Sequence, residues 1–445
     1  MKKVAFHNLG CKVNSYELDG ISQMFQNRGY EIVDFAQKAD IYIVNTCTVT
    51  NIADHKSRQM LGRARAQNPD AIVVATGCYV QNDPEGVEAN DAVDIAVGNN
   101  HKSEIVDIVE EYMAASVKTL SGMTVSDLKS KCSYEELPVS KTSGHTRAYI
   151  KIQDGCDQFC SYCVIPFARG RSRSRAFTDI IDEAKRLSQN GYREVVLTGI
   201  HISSYGLDDR YNRFVKDNNT NEELIRVIEG VAAIDGIERV RLSSLEPQLM
   251  TDDLIGRLAG IRKLCPHFHM SLQSGSDTVL ARMNRHYSSA RFEEKVTALR
   301  NAFEHPAITT DIIVGFPAET EAEFEQTRDF LNRVRPYECH VFKYSRRRGT
   351  NADKMEGQLT DAVKSARSAI LIGDSNRRKR EFAEYYIGKK VKVLAEDTVV
   401  IDGRKYSAGL TPEYVRVSMP LTKSGEIIEV RISDDPGSEC RLYNN

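Results

Sequence analysis

No apolar run in the chain approaches the roughly 18 to 20 residues that a membrane span needs, so no segment reads as a transmembrane helix. A secretory signal is missing too: Met1-Lys2-Lys3 leads into a short strand-like run and not into an apolar h-region. Nor is there an excess of charge of one sign, since 60 Lys and Arg face 62 Asp and Glu for a formal net charge of −2. Whole-protein charge therefore gives no argument for a nucleic-acid partner, and any polyanion site must be a local patch. The expected compartment is the cytosol, with no membrane partner. There thiols are kept reduced, so ten cysteines make a poor disulfide framework, and those that cluster point to metal ligation or catalysis. Hydrophobic content of 41% and charged content of 27% are those of a soluble globular protein. At 445 residues the chain exceeds one ordinary core, and two or three domains are expected.

What is present is a cysteine loop. Cys156, Cys160 and Cys163 lie in Gln153-Asp154-Gly155-Cys156-Asp157-Gln158-Phe159-Cys160-Ser161-Tyr162-Cys163, a C-x3-C-x2-C spacing. Three thiolates are one short of a closed tetrahedral zinc site or of a fully cysteine-ligated 4Fe-4S cluster, so they can hold a cubane with one iron open to an outside ligand. The plainer reading is a structural zinc completed by a distant group such as His201, but closed zinc sites are usually built from paired cysteine spacings. Cys132, Cys265, Cys339 and Cys440 stand apart and look incidental.

The first segment alternates short apolar runs, Lys3 to Phe6, Asp40 to Val44 and Ala71 to Ala75, with helical patterns, which predicts βαβαβ and a parallel sheet. Each run is soon followed by a cysteine: Cys11, Cys47 and Cys78, separated by 36 and 31 residues, about one βα unit each. In open α/β sheets the loops at the carboxyl ends of the strands share one crevice, so the three thiols are expected to converge. Three ordinary buried thiols are the bland alternative.

A polar stretch from about Ser121 to Gly144 reads as a linker. Beyond it lie six strand candidates, Ala148 to Ile152, Glu194 to Gly199, Arg239 to Ser243, His267 to Leu272, Thr310 to Val314 and Cys339 to Tyr344, with amphipathic stretches between them. Six βα units predict a partial barrel, and polar residues gather just past the strands, on the rim where such barrels bind ligands. The cysteine loop follows the first strand and shares that rim. A helical run from about Thr360 to Tyr386 leads to a last segment of about 60 residues. Its short runs, Lys390 to Leu394, Val399 to Ile401, Tyr414 to Val417 and Ile427 to Ile432, predict a small all-β barrel.

In these features the chain resembles the radical S-adenosylmethionine (SAM) methylthiotransferases over nearly its whole length. Leu9-Gly10-Cys11-Lys12-Val13-Asn14-Ser15-Tyr16-Glu17 and Arg169-Gly170-Arg171-Ser172-Arg173-Ser174-Arg175 resemble the branch that acts on N6-threonylcarbamoyladenosine in tRNA. The isopentenyladenosine branch usually has Gln-Met after the first cysteine. Val195 to Gly199, Ser243 to Pro247, Ser271 to Ser276 and Asp311 to Pro317 are also family-like, while Ala318 stands where the family commonly has Gly. The resemblance implies an α/β chain: a parallel-sheet methylthiotransferase domain (1–118), a linker (119–143), a (β/α)6 partial TIM-like radical SAM barrel (144–375) and a small all-β TRAM barrel of RNA-binding type (376–445).

It further implies two 4Fe-4S clusters, one on Cys11, Cys47 and Cys78, the other on Cys156, Cys160 and Cys163 with SAM on its open iron. Reduction of the second would cleave SAM to a 5′-deoxyadenosyl radical; the first would carry or supply sulfur, which a first SAM methylates before the radical from a second takes hydrogen from adenine C2. The expected product is the 2-methylthio form of threonylcarbamoyladenosine at position 37, beside the anticodon. Implied partners are tRNA, through its anticodon loop, and an electron donor such as flavodoxin or ferredoxin. The alternatives are an enzyme for isopentenyladenosine or for a ribosomal protein and, from another class, a non-enzymatic iron-sulfur RNA-binding sensor.

Ser244, Glu246, Gln273 and Asp311 are candidates for cofactor contacts in the barrel mouth, with capping or rim structure as the alternative. Tyr162 is a candidate neighbour of the adenine, and turn chemistry explains Asn8, Asn45 and Asn51 beside the first cysteines. Lys56, Arg58, Arg63 and Arg65; Arg171, Arg173 and Arg175; Arg346 to Arg348; and Arg377 to Arg380 are candidate phosphate contacts or solvated faces. An unpaired anticodon base is splayed into a pocket at low cost.

Overall fold

The computed structural model describes residues 1–115, 122–128, 132–142, 144, 146–210, 219–435 and 437–443. Apolar runs buried on both faces pair in parallel. β1 (Lys3–Asn8), β2 (Glu31–Val33), β3 (Ile41–Thr46), β4 (Ile72–Gly77), β5 (Ile95–Val97) and β6 (Gly122–Thr124) form one parallel sheet in the order β2-β1-β3-β4-β5-β6. Helices α1 (Lys12–Asn27), α2 (Asn51–Gln67) and α3 (Cys78–Asn82) follow β1, β3 and β4. The chain reverses direction across the sheet between β1 and β3, the place where such sheets open a ligand crevice.

The stretch expected to be linker is partly built into this unit. It supplies β6, and its Leu128, Leu137 and Val139 are buried, Val139 against Tyr16, Tyr149 and Val196. It has few apolar side chains but buries these three, which is why its composition reads as linker. Residues 119–121, 129–131 and 143 of it lie outside the described residues.

The six expected barrel strands are present. After β7 (Ala148–Lys151) comes a short antiparallel pair, β8 (Gln153–Asp154) and β9 (Arg173–Ser174). β10 (Glu194–Thr198), β11 (Arg239–Leu242), β12 (His267–His269), β13 (Ala307–Val314) and β14 (Glu338–Lys343) complete two parallel three-stranded sheets, β11-β10-β7 and β12-β13-β14. The bridges Val240–Leu264 and Leu245–Met270 join them into one curved wall. Among the described residues no pairing closes β14 onto β7, so the barrel is open on one side. Val195, Leu197, Val240, Leu242, Phe268 and Ile312 point outward into the largest apolar core. By strand alternation Glu194, Arg239, Arg241, His267, His269 and Asp311 face inward. The lumen is thus polar, where a closed barrel would be filled with branched apolar side chains.

One helix, Asp361–Glu384, capped by the Thr360 hydroxyl, links the barrel to the last unit. Its Leu371 lies in the barrel core and its Ala383 in the terminal core, and it passes 375/376 unbroken. The terminal strands β15 (Lys390–Ile401), β16 (Arg404–Leu410), β17 (Arg416–Met419), β18 (Ile427–Arg431) and β19 (Arg441–Leu442) form an antiparallel sheet ordered β18-β15-β16-β17-β19. The runs expected as two strands, Lys390 to Leu394 and Val399 to Ile401, are one strand bent by a bulge between Ala395 and Asp397, where the apolar alternation lapses. Arg404–Leu410 escapes the periodicity reading. Its signal is Asp402-Gly403, whose φ values of 51° and 77° make the tight hairpin that sequence pair favours.

A buried ion network joins the first unit to the barrel. Glu17 on α1 pairs with Lys102 at 2.5 Å, Arg169 at 2.7 Å and Lys151 at 2.9 Å. Asp154 pairs with Lys151 at 2.9 Å, Arg169 at 3.1 Å and Arg173 at 3.2 Å. All six side chains are buried, and the surrounding cations hold the Glu17 carboxyl well below its usual range against the opposing pull of burial. Removing one partner of such a cluster leaves uncompensated buried charge. Glu17→Gln should therefore lower unfolding free energy by about 3–5 kcal/mol, checked by urea denaturation of the metal-free protein; an unchanged midpoint would refute the tie.

Candidate active site

The first three cysteines all sit at carboxyl ends of strands. Cys11 caps α1, Cys47 follows β3 and Cys78 opens α3. Close approach of these loops requires glycine: a Cβ on Gly10 (φ +114°) would lie 3.1 Å from the Cys47 Cβ, and one on Gly77 (φ +97°) 2.4 Å from the Asn45 Oδ1. The Asn14 amide ties the loops together, donating to the Leu9 carbonyl at 2.8 Å and the Thr46 carbonyl at 3.0 Å. Asn45 donates to the Asn14 carbonyl, Asn8 donates to the Ser15 hydroxyl, and Asn51 accepts from Arg347; all three are structural. The three loops meet, and Cys78 and Cys11 are electrostatic neighbours of Cys47. Burial pushes Cys47 up to about 11, and nearby Cys78 and Cys11 add to the shift. Asn99 reaches from this unit to both the Cys78 sulfur (3.7 Å) and the Ala168 carbonyl of the barrel (2.6 Å).

The cysteine loop after β8 is equally constrained. Gly155 has φ +70°, and a Cβ there would lie 2.0 Å from the Arg171 carbonyl oxygen. Ser161 N–H donates to the Met283 carbonyl at 3.0 Å, Cys163 N–H to the Cys160 carbonyl at 3.0 Å, and the Asn284 amide to the Phe159 carbonyl at 3.0 Å. Donors are aimed at sulfur: Arg285 Nη1 to Cys160 at 3.1 Å and Ile165 N–H to Cys163 at 3.4 Å. Burial, with Cys160 beside it, pushes Cys163 up to about 12, so the metal-free thiol is protonated, and the donors favour the thiolate that a metal needs. Arg285 is held in turn by Glu246 at 2.6 Å, itself 3.9 Å from His201.

Of the other sequence candidates, Glu246 is thus tied to the cysteine loop through Arg285. Tyr162 packs on an apolar cluster with Met283, Phe316 and Tyr344. Gln273 adopts φ +71° where its backbone bridges to Ile312, and Ser244 is half-buried on the rim. Asp311 faces the lumen 3.4 Å from His269, whose other ring nitrogen meets the Thr309 hydroxyl at 3.0 Å; His340 completes a group whose ligand atoms lie within 4.8 Å of one another.

The basic groups divide. Arg173 and Arg175 are buried, the first on Asp154, the second on Glu183 at 2.6 Å and Glu136 at 2.7 Å; Arg347 is buried on Asp54 at 2.7 Å, and Arg378 lies against Cys339. These four are internal ties and not phosphate contacts. Lys56, Arg58, Arg63, Arg171, Arg346, Arg348, Arg377 and Arg380 are exposed.

Apart from Asp311, the charged residues of the lumen escaped sequence reasoning. Arg239 and Arg241 alternate with Val240 and Leu242, and His267 and His269 flank Phe268. Charge at every second position of a parallel strand, where apolar residues are the rule, is the signal that was there. At the far end of the lumen Tyr414 of the terminal unit stacks on His267, ring centroids 4.5 Å apart and planes within 7°, with the Arg241 and Arg147 guanidinium carbons 5.0 and 5.5 Å from its ring centroid. Lys12, next to Cys11, is an electrostatic neighbour of the same three residues.

Residues 3–98 match the uncharacterized protein family UPF0004, and residues 150–331 match the radical SAM superfamily. The chain is 40% identical over 435 residues to threonylcarbamoyladenosine tRNA methylthiotransferase MtaB of Bacillus subtilis, covering 97% of this chain and 94% of that one. It is 32% identical over 440 residues to tRNA-2-methylthio-N(6)-dimethylallyladenosine synthase of Acetivibrio thermocellus, covering 97% and 88%. Among solved structures, the radical SAM methyltransferase TsrM of Kitasatospora setae superposes with a TM-score of 0.55 at 15% identity over 77% of this chain and 73% of that one, a likeness of fold. Identity of this extent across both matched segments places the chain in the radical SAM methylthiotransferase family, in the branch of its MtaB relatives.

Proposed function

We propose that this enzyme methylthiolates C2 of N6-threonylcarbamoyladenosine at position 37 of tRNA, with one 4Fe-4S cluster on Cys11, Cys47 and Cys78 and another on Cys156, Cys160 and Cys163. The carrying observation is that two three-thiol sets from different units flank one buried ion network and one polar lumen. Both sets fit such a group: each offers three thiols, in each the loops come so close at a glycine that a Cβ would meet its neighbours, and polar donors point at sulfur. When bound, the clusters and SAM would supply the radical, the methyl group and the sulfur.

The chain's own residues hold the geometry. Arg285, fixed by Glu246, orients the Cys156–Cys163 loop, and Asn14 and Asn99 orient the other set. Arg169 hydrogen-bonds Asn14 and pairs with Asp154 two residues before Cys156, so the two sets cannot move independently. In this reading the terminal sheet is the TRAM barrel that grips RNA, the exposed arginines and lysines meet the anticodon stem-loop, and a flavodoxin or ferredoxin in the cytosol delivers electrons.

Reconstituted protein should carry about eight irons per chain. The triple variant C11A/C47A/C78A should keep about four and still cleave SAM on reduction, while making no methylthio product. C156A/C160A/C163A should also keep about four but lose cleavage, and Gly155→Ala should do the same by steric conflict alone. Stoichiometric zinc, or about four irons in the unsubstituted protein, would overturn the two-cluster scheme. In a deletion strain, nucleoside analysis of tRNA should show threonylcarbamoyladenosine accumulating without its 2-methylthio form; an unchanged methylthio peak, or loss of the isopentenyl derivative instead, would sink the substrate assignment.

A further inference from the structure

Among the described residues, Lys12 is a cation beside the lumen with no carboxylate paired to it. Lys12 follows Cys11 at the first turn of α1 and is half-buried. Among the described residues its ammonium makes no ion pair and no hydrogen bond, and its electrostatic neighbours are Arg147, Arg241, Tyr414 and Cys11. The carboxylates nearby are already engaged. Glu194 takes Arg241 at 2.8 Å and Arg239 at 3.4 Å, Glu396 takes Arg147 at 2.8 Å, and Asp311 is opposite His269. A partly desolvated ammonium beside two guanidiniums is a place where an anion gains more than it would in water.

The substrate assigned above, on which this inference rests, brings such an anion. Its N6 substituent ends in the carboxylate of threonine, whereas the isopentenyl substituent of the sister branch is a neutral hydrocarbon. C2 and the N6-bearing carbon are separated by a single ring nitrogen. With C2 facing the sulfur held by the Cys11 set, the N6 arm stays close to that set, and Lys12 is the next residue along the chain. We propose that Lys12 is the specificity residue of this enzyme: its ammonium receives the threonyl carboxylate beside Tyr414, Arg147 and Arg241. An ammonium left unpaired by a hydrocarbon arm also rejects the wrong base, since a site built for a polar group discriminates strongly against ligands that lack it.

The test uses reconstituted full-length protein and anticodon stem-loop RNA carrying threonylcarbamoyladenosine or its threonyl methyl ester, with iron and sulfide content measured alongside. The unsubstituted enzyme should favour the acid over the ester by about 30-fold or more in kcat/KM, the loss expected when one partner of a desolvated charge pair is removed. K12Q should bring the acid-to-ester ratio close to one, and K12R should keep most of the discrimination. Equal rates on acid and ester by the unsubstituted enzyme would overturn the proposal without any mutation, as would a K12Q enzyme that still discriminates. If K12Q weakens acid and ester RNA alike, with a reduced salt slope, Lys12 meets a phosphate and the proposal falls. Failure of the unsubstituted enzyme on both RNAs, with turnover of isopentenyladenosine RNA, would instead overturn the substrate assignment.

Discussion

Everything around the two cysteine sets hangs on burying six charged side chains together. Glu17, Lys102, Lys151, Asp154, Arg169 and Arg173 come from α1 and its own unit on one side and from β7, β8, β9 and the helix after the cysteine loop on the other. Each would be costly to desolvate alone, so the cluster tolerates only the arrangement in which all are paired. Two carboxylates face four cations, and the surplus is positive. Burial works against the charge of Arg169, but Cys78, Glu17 and Asp154 together hold it protonated. A positive surplus beside three thiols is the environment in which thiolates, and the anionic sites built from them, are stabilised.

That cluster also shows where sequence reading stops. Strand positions were legible because burial on one or both faces writes a period into each short segment, and the cysteines were legible because their spacing is local. Glu17 and Arg169 are 152 positions apart, and nothing near either says they meet. The run of arginines after Arg169 reads as a phosphate-binding stripe, yet Arg173 and Arg175 turn inward onto Asp154 and Glu183 while Arg171 stays exposed. β16 was missed although its hairpin dipeptide was visible, because Arg404-Lys405-Tyr406-Ser407-Ala408-Gly409-Leu410 has no clear apolar alternation. The polarity of the lumen was written in the strands as alternating charge, but only an open barrel makes sense of it.

The same scaffold carries relatives named for different N6 substituents at 40% and 32% identity over nearly full length. What distinguishes substrates must therefore lie in side chains set on a shared fold. The lumen is the natural place, because its inner face is polar: replacing Val240 or Phe268 disturbs the core, whereas the inward positions carry charge and hydrogen-bonding groups.

The floor of that lumen belongs to another part of the chain. Arg239 and Arg241 donate to the carbonyls of Leu410 and Pro412 at 3.0 and 2.9 Å, and Tyr337 donates to the Tyr414 carbonyl at 3.3 Å, so one loop of the terminal sheet closes the barrel from below. The terminal unit thereby also works as a stopper. Loss of that loop would open the lumen at its lower end, letting water and small thiols in from beneath, so the last segment also decides how well the interior of the barrel is sealed.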